Sequence, residues 1–328
     1  MDDTTPSRGG DELPAMFEAS FPHPEVVPAD GRGPVLVHGM EGFADAGHAI
    51  KLATAHLLET LDSELVGTFD LDALLDYRSR RPTMTFEADH FAAYDEPRLS
   101  LHAVTDDAGT PFLLLSGMEP DLHWERFVTA VQTLVERFGV RRTVGLNAIP
   151  MAVPHTRPVG VTAHGMPTSL VRGHQPWAGT IQVPASAASL LELRLGERGH
   201  EVMGFAVHVP HYLSQTDYPV AAQALLENLG EAADLALPTG ALDPAAARVR
   251  EQVDAQVAGS EEVASVVGAL ERQYDAYVGS QERASLLAPE GGLPSGDELG
   301  AELERFLAQQ GGDEDGPDGS GGTDTPRL

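Results

Sequence analysis

Two similar stretches decide the fold: TVGLNAIPMAVPHTRP at residues 143–158 and MGFAVHVPHYL at residues 203–213. Each begins with apolar residues that predict a buried β-strand, and each then reaches the motif Val-Pro-His. A proline ends a strand because it has no N–H group for the sheet ladder. Both stretches are therefore predicted to be strands that stop at a proline, with a histidine directly after it.

The residues around these stretches alternate between strand and helix patterns. Further strands are predicted in PVLVHGM (34–40), ELVGTF (64–69), LSLHAV (99–104), PFLLLS (111–116) and VGVTAH (159–164). Helices are predicted at residues 50–61, 121–139, 186–199 and 218–229. This alternation indicates an α/β sheet with helices on both faces. Because LSLHAV and PFLLLS follow each other directly, they predict an antiparallel hairpin, so the sheet is mixed.

After about residue 240 the pattern is helical throughout. Asp243 is predicted to cap a helix that has Pro244 at its first position. An apolar stripe with heptad-like spacing follows, consisting of Val263, Val267, Leu270, Tyr274 and Tyr277. Another helix is predicted to begin near Ser295. The sequence therefore divides into four predicted regions: an irregular N-terminal arm (1–30), an α/β core domain (31–240), a helical appendage (241–310) and a disordered acidic tail (311–328).

The composition excludes several classes of function. The formal net charge of −29 repels nucleic acid and anionic lipid, so neither is an expected partner. The chain has no cysteine, which excludes disulfides and thiolate chemistry. No run approaches the roughly 18 apolar residues of a membrane span, and the acidic N-terminus has no apolar signal core, so a cytoplasmic protein is predicted. Of the 13 histidines, 12 lie within residues 31–230, where any chemistry is expected.

The glycine-rich segment GFADAGHA (42–49) lies where a phosphate-binding loop would be, between a predicted strand and a predicted helix. A nucleoside triphosphatase loop needs Lys and Ser or Thr at its end, and His48 and Ala49 stand there instead, so ATP hydrolysis is excluded. The backbone N–H groups can still hold an anion. Gly42, Asp45 and Gly47 are therefore candidate binding residues, and the alternative is a tight turn capped by Asp45.

The segment DYRSRRP (76–82) places three arginines together in an acidic protein. Arg78 is a candidate for binding a carboxylate or phosphate, because guanidinium groups bind such anions in bidentate fashion. Arg80 and Arg81 are candidate interface residues. The alternative is that these arginines form ion pairs with the surplus acids, within one chain or between subunits.

The two Val-Pro-His motifs follow strands of the predicted sheet. Open α/β sheets bind ligands at the carboxyl edge of their strands, which makes His155, Arg157 and His211 candidate binding residues. If the two strands are neighbours, the motifs meet at this edge. The alternative is that each histidine is an ordinary polar group that has satisfied its hydrogen bonds. Hydrolase and metalloprotease motifs are absent, so no catalytic residue, metal or cofactor is predicted.

Five of these segments together resemble the proteasome assembly chaperone 2 family in its actinobacterial form. The matching segments are GFADAG, DYRSRRP, FLLLSGMEPDLHW, VPHTRP and VPHYLSQTDYP, in family order across about residues 33–240. The resemblance implies a three-layer α/β/α fold similar to nucleoside phosphorylases and hydrolases, and small homo-oligomers, in particular trimers. It also implies proteasome α-type subunits as partners, which relatives contact through a C-terminal hydrophobic–Tyr–any-residue tail. Pro326 and Arg327 depart from that tail.

Two functions are therefore expected as alternatives. The first is a non-enzymatic, assembly-chaperone-like homo-oligomer, with Tyr274 and Tyr277 as further candidate interface residues. The second is an enzyme or small-molecule (anion) binder on a nucleoside-phosphorylase-like fold, with a site built from the glycine-rich turn, Arg78 and the His155–Arg157 loop. Convergence of these segments on one open pocket favours the second.

Overall fold

The computed structural model describes residues 16–20, 24–174 and 179–286, with side chains as far as residue 279. The predicted helix near Ser295 and the predicted tail (311–328) lie outside the described residues. Most of the predicted arm (1–30) also lies outside them. The described residues as far as Ala276, except 179–181, form one compact unit.

Ten strands are present in the described parts of the chain: β1 (Phe17–Ala19), β2 (Val35–Glu41), β3 (Asp62–Phe69), β4 (Met84–Glu87), β5 (His90–Tyr94), β6 (Leu99–Thr105), β7 (Pro111–Met118), β8 (Arg142–Met151), β9 (Val161–Met166) and β10 (Val202–Pro210). Eight of them form one sheet in the order β1-β3-β6-β7-β2-β8-β10-β9. The four strands β7, β2, β8 and β10 are parallel, and the others are antiparallel to their neighbours. The sheet is therefore mixed, and the predicted β6–β7 hairpin is confirmed.

Helices cover both faces of this sheet. The part of the chain that the structure describes contains seven α-helices: α1 (Ala49–Thr60), α2 (Leu71–Leu74), α3 (Trp124–Arg137), α4 (Ala187–Glu197), α5 (Pro219–Ala233), α6 (Asp243–Ala258) and α7 (Glu261–Leu286). In β7, Phe112 and Leu114 pack into the cluster that contains α1 and α5, while Leu113 and Leu115 pack into the cluster that contains α3 and α4. Successive strand residues point to opposite faces, so burial on both sides explains the continuous apolar run. The three-layer α/β/α fold is confirmed.

The ends of two predicted helices have the expected local chemistry. Gly139 follows α3 with φ +60, a conformation that glycine adopts without the steric cost of a Cβ atom. Pro219 occupies the first position of α5, where the missing N–H group would have had no partner within the helix. Both features agree with the sequence-based prediction.

The C-terminal helices are present, but their apolar stripe is divided. Val267 and Leu270 are 5% and 8% exposed, whereas Val263 and Tyr277 are 43% and 59% exposed. On α6, Val253 is buried in the same cluster as the sheet residues. The predicted domain boundary near residue 240 stays a prediction. α6 lies beyond this boundary and contributes to the same core as the strands.

Three elements were not predicted: β1, α2 and the hairpin of β4 and β5. The hairpin forms its own two-stranded sheet, and all nine of its strand residues are exposed. Polar residues at Glu87, Asp89 and His90 interrupt its apolar pattern, which is why the alternation is weak in the sequence. None of the helices in the described parts of the chain is long and apolar enough to cross a membrane.

Candidate functional site

The two strands that precede the Val-Pro-His motifs are direct neighbours. Strand β10 ends at Pro210 as predicted, whereas β8 runs through Pro150 and ends at Met151, before its motif begins at Val153. Strand β8 pairs with β10 in parallel, and the last pair in the register is Met151 with Pro210. After these residues the polypeptide leaves the sheet at its carboxyl edge in both places, so the segments 152–158 and 211–218 begin side by side. The prediction that the two motifs meet is confirmed.

His155 joins the two segments and also contacts α6. Its Nδ1 lies 2.7 Å from the Tyr212 hydroxyl oxygen, and its Nε2 lies 3.1 Å from Oδ1 of Asp254. A carboxylate only accepts hydrogen bonds, so the geometry favours a proton on Nε2 and a Tyr212 hydroxyl that donates to Nδ1. The backbone N–H group of His155 also donates to the Tyr212 oxygen, at 2.9 Å. Burial raises the pKa of Tyr212 above its usual value, which keeps this hydroxyl protonated.

Arg157 ties the same loop to α7. Its Nε and Nη2 atoms donate to the two oxygens of Asp275, at 2.8 Å each, and Nη1 donates to Glu271 at 3.3 Å. The bidentate hydrogen bonds from Arg157 hold the pKa of Asp275 below its usual range. Tyr274 donates from its hydroxyl to the carbonyl oxygen of Pro158 at 3.2 Å. These contacts occupy most of the guanidinium group of Arg157.

His211 is exposed and stands outside this hydrogen-bonded chain. Its ring packs edge-on against Tyr212, with 5.4 Å between ring centroids. Within the described residues, its side chain makes no hydrogen bond. The structure therefore brings together His155 and Arg157 as predicted, while His211 contributes only a ring contact.

The glycine-rich turn packs against the segment that follows β10. Gly47 has φ +66, its N–H group donates to the Ser214 carbonyl at 2.8 Å, and its carbonyl accepts from the Tyr218 N–H group at 2.9 Å. A Cβ atom on Gly47 would lie 2.9 Å from Cβ of Tyr218. Oδ1 of Asp45 accepts from the N–H group of Ile50 at 2.6 Å, as expected for a cap, and burial raises the pKa of the Asp45 carboxyl to about 7. The turn is thus closed by protein contacts.

Of the three arginines in DYRSRRP, Arg80 is hydrogen-bonded within the chain. Arg80 donates to Asp121 at 2.6 Å and to the carbonyl oxygen of Glu119. The exposed side chains of Arg78 and Arg81 make no hydrogen bond or ion pair with the described residues. Arg78 does not line the cavity that His155 and Arg157 line. The structure therefore separates Arg78 from the His155 loop.

Glu119 is a buried acid that the sequence analysis did not single out. Its two oxygens accept from the N–H groups of Phe43, at 3.1 Å, and Ala187, at 2.7 Å. A Cβ atom on Gly42 would collide with the same carboxylate. Glu119 therefore joins the glycine-rich turn to the N-terminus of α4. A glycine at position 42 indicates that another group approaches the backbone closely there. That this group is Glu119 follows only from the order of the strands.

A second buried carboxylate lies on the sheet between two histidines. Adjacent strands place His38, Gly145, Gly204 and His164 in one row, by their pairing in β2, β8, β10 and β9. Glu192 of α4 lies above the two glycines, with Oε2 2.6 Å from Nε2 of His164 and Oε1 3.7 Å from Nε2 of His38. Burial lowers the pKa of His38. Burial also acts to lower the pKa of His164, but the hydrogen bond and charge of Glu192 outweigh it, so this pKa is raised.

The carboxyl edge near His155 is covered by the C-terminal helices. A cavity of about 300 Å³ lies between the His155 loop, α5 and α6, and a recess of about 340 Å³ lies between that loop, α6 and α7. Within the described residues, no group of three or more histidine, aspartate or glutamate side chains is arranged to hold a metal ion. The arrangement is thus a closed polar junction beside a small cavity.

The fold and this junction define an α/β/α protein whose C-terminal helices cover the carboxyl ends of β8 and β10. The sequence matches the model of the PAC2 family over residues 39–257, so the chain belongs to the PAC2 family. The predicted resemblance to the proteasome assembly chaperone 2 family is confirmed. No curated protein matches the chain.

Solved structures share this fold along most of their length. A protein of unknown function from Mycobacterium tuberculosis, Rv2714, is 57% identical with a TM-score of 0.80, and the match covers 92% of this chain and 98% of that one. A protein of unknown function from Corynebacterium glutamicum is 46% identical with a TM-score of 0.77, covering 80% and 98%. The Mycobacterium tuberculosis proteasome-assembly chaperone homologue Rv2125 is 25% identical with a TM-score of 0.65, covering 71% and 99%.

Proposed function

We propose that this chain is a non-enzymatic, cytoplasmic assembly-chaperone-like protein that acts as a homo-oligomer on proteasome α-type subunits. Membership of the PAC2 family and the similarity to a proteasome-assembly chaperone homologue support this class of function. The observation that carries the proposal is the covered sheet edge. An open α/β sheet binds its substrate at this edge. Here α6 and α7 lie over the ends of β8 and β10, leave a cavity of about 300 Å³, and pair with the His155 and Arg157 side chains.

The charges at this edge support the same conclusion. His155 is paired with Asp254 and Tyr212, and Arg157 is paired with Asp275 and Glu271. A catalytic acid, base or anion-binding group must be able to reach the substrate. These side chains instead bind the helices to the loop, so their contribution is to hold the C-terminal helices in place.

The exposed apolar side of α7 is the surface that we assign to the partner. Val263 and Val266 are 43% and 48% exposed and lie one turn apart, while Val267 and Leu270 face inward. Tyr277 is 59% exposed and remains a candidate interface residue. Tyr274 has a different role in this proposal, because its hydroxyl bonds Pro158 and so helps to dock α7.

Co-expression with proteasome α-type subunits tests the proposal. The full-length chain is expected to capture these subunits, and Val263→Glu/Val266→Glu is expected to lose them, because two carboxylates at an apolar contact leave buried charges without partners. The matched control is Ser265→Glu/Ala269→Glu, which places the same charges on a different exposed face of the same helix. Circular dichroism verifies that both variants are folded.

Two results would contradict the proposal. If the full-length chain captures no α-type subunit, the chaperone function fails. If both double variants bind as well as the full-length chain, α7 is not the contact surface.

Self-association is the second part of the proposal, with the β4–β5 hairpin as its contact. Phe86 and Phe91 are 58% and 66% exposed and stack edge-to-face at 5.1 Å. A two-stranded hairpin with no covering layer is marginally stable in water, so it needs a surface that buries its aromatic side chains. Arg78 and Arg81 lie just before this hairpin in the sequence. Because the chain has a net charge of −29, a second copy offers many carboxylates with which these arginines can pair. The resemblance to the family favours a trimer.

A further inference from the structure

The cavity beside His155 has an unusual distribution of charge for this protein. The chain has 50 acidic residues and only 21 lysines and arginines, yet none of the residues that line the cavity is acidic. The charged residues of its wall are Arg157 and Arg250, and His155 contributes an imidazole ring. The remaining wall is mainly apolar and consists of Thr156, Pro158, Val159, Leu213, Tyr218, Val220, Val249 and Val253.

Two polar groups of the wall make no side-chain hydrogen bond with the described residues, although Arg250 is ion-paired with Asp254. Tyr218 is only 5% exposed, and its hydroxyl group makes no hydrogen bond with the described residues. Burial raises the pKa of Tyr218 to about 12, and Arg250 lies close enough to oppose that shift. Arg250 makes no hydrogen bond within the same residues, and its nearest carboxylate oxygen is 3.9 Å from its Nε. A hydroxyl that lines a cavity and has no hydrogen-bond partner in the described residues is free to donate to a ligand there.

The position and size of the cavity suit a small ligand. It lies at the carboxyl ends of β8 and β10, the edge where open α/β sheets bind small molecules. Its volume of about 300 Å³ is at the lower end of the range of ligand pockets. Arg250 is 58% exposed on its side chain and therefore stands at the mouth, whereas the valines lie inside.

We propose that this cavity binds a small organic carboxylate with an apolar body. The valines and Leu213 contact the apolar body, the Tyr218 hydroxyl donates to the carboxylate, and Arg250 supplies the positive charge at the mouth. A guanidinium group and a hydroxyl together are a usual carboxylate site in proteins. Arg157 is paired with Asp275 and Glu271, so it shapes the wall and stays fixed to α7, and Arg250 is the charge that meets the ligand.

Titration calorimetry of the full-length chain with octanoate tests this site. Octanoate is expected to bind with one-to-one saturation, whereas acetate, which lacks the apolar body, and octanamide, which lacks the charge, bind at least about tenfold more weakly. Tyr218→Phe is expected to weaken octanoate binding several-fold and to leave the melting temperature unchanged, because the hydroxyl has no partner in the protein. Arg250→Gln is expected to weaken binding about tenfold.

The matched control is Arg248→Gln on the same helix, whose guanidinium bonds only the Pro244 carbonyl and does not line the cavity. Val249→Phe, which fills the cavity, is expected to abolish octanoate binding. Absence of saturable octanoate binding would overturn the proposal. Equal binding of octanamide would overturn the carboxylate class, and unchanged binding by Tyr218→Phe and Arg250→Gln would show that octanoate binds elsewhere.

Discussion

Glu192 explains the residues at four positions of the sheet at once. Its carboxylate lies over Gly145 and Gly204, and a Cβ atom on either glycine would collide with it or with the adjacent histidine. The carboxylate needs polar neighbours because a buried charge without partners is costly. His164 provides one by hydrogen bonding, and His38 faces the other oxygen. Because the two glycines have no Cβ atom, the Glu192 carboxylate can occupy the space above them.

Alanine at Gly145 is expected to destabilise the protein by about 1–3 kcal/mol, since the added methyl group overpacks the site of Glu192. Denaturant unfolding of the variant measures this loss. The matched control is Gly268→Ala in α7, where a Cβ atom would meet only the end of the Arg272 side chain at 3.5 Å. That change is expected to stabilise the protein by about 0.5–1 kcal/mol through helix propensity. Equal effects of both changes would contradict the packing argument.

Asp45 is expected to make stability depend on pH. Burial raises its pKa to about 7 in the folded protein, against 3.8 for the unfolded chain. Between these values the folded state keeps a proton that the unfolded state has lost, so this group's contribution to stability falls as the pH rises from about 4 to about 7. Asp45→Asn keeps an acceptor for the N–H group of Ile50 but cannot ionise.

The measurement is the difference in melting temperature between Asp45→Asn and the parent chain across pH 4–8. The free energy of unfolding of the variant, relative to that of the parent, is expected to rise with pH by on the order of 2 kcal/mol after allowance for solvent screening. A difference that stays constant with pH would mean that Asp45 is ionised throughout. Asp62→Asn, which removes an exposed acid at the start of β3, is the control for the loss of one negative charge.

Some of these residue contacts follow from the sequence and others do not. The cap by Asp45 was predictable because it is local: an acid in the turn before a helix can accept from an N–H group of the first helical turn, here that of Ile50. The row formed by His38 and His164 was not, because those residues are 126 positions apart and only the strand order places them over one carboxylate. The same reason applies to Glu119, whose partners Phe43 and Ala187 lie far away in the chain.

Among the elements, the β4–β5 hairpin carries the argument for self-association. It pairs Phe86 with Phe91 across the strands and has no covering layer within the described parts of the chain. An exposed aromatic pair of this kind costs free energy in water, and burial against another copy removes that cost.

Replacing both aromatics, in Phe86→Glu/Phe91→Glu, is expected to convert an oligomer into a monomer at micromolar concentration. Like charges opposite each other also repel across the hairpin, so circular dichroism must show that the fold is retained. Light scattering coupled to gel filtration measures the mass. The control is Thr85→Glu/Ala93→Glu, which charges another exposed pair of the same hairpin. A parent chain that is strictly monomeric, or equal masses for the two variants, would contradict the role of the aromatics.

The elements themselves were predictable to different degrees. Strands β8 and β10 followed from their apolar runs and prolines, and their adjacency turned two similar motifs into one junction. The hairpin of β4 and β5 was missed because its side chains are exposed on both faces, so no alternation of apolar and polar residues marks it. Helices α6 and α7 were predicted as an appendage, yet the heptad-like stripe gave no information about which residues face the core.

For the molecule as a whole, the structure raises the question of whether α6 folds with the sheet. Val253 is 8% exposed and belongs to the cluster that includes Phe205, Leu225 and other residues of the sheet and α5. His155 adds a hydrogen bond to Asp254 on the same helix. A helix that shares its apolar contacts with the main core is expected to unfold together with it, because loss of the helix exposes that core to water.

Calorimetry of Val253→Ala tests this cooperativity. Removing two methyl groups from the core is expected to cost about 1–2 kcal/mol and to lower the midpoint of one single unfolding transition by several degrees. Val266→Ala, at a valine of α7 that is 48% exposed, is the control and is expected to leave the midpoint nearly unchanged. Two separate transitions, with Val253→Ala lowering only the smaller one, would mean that the helices form an independent unit. The covered edge would then open without unfolding the sheet, and its closure could no longer support a non-enzymatic function.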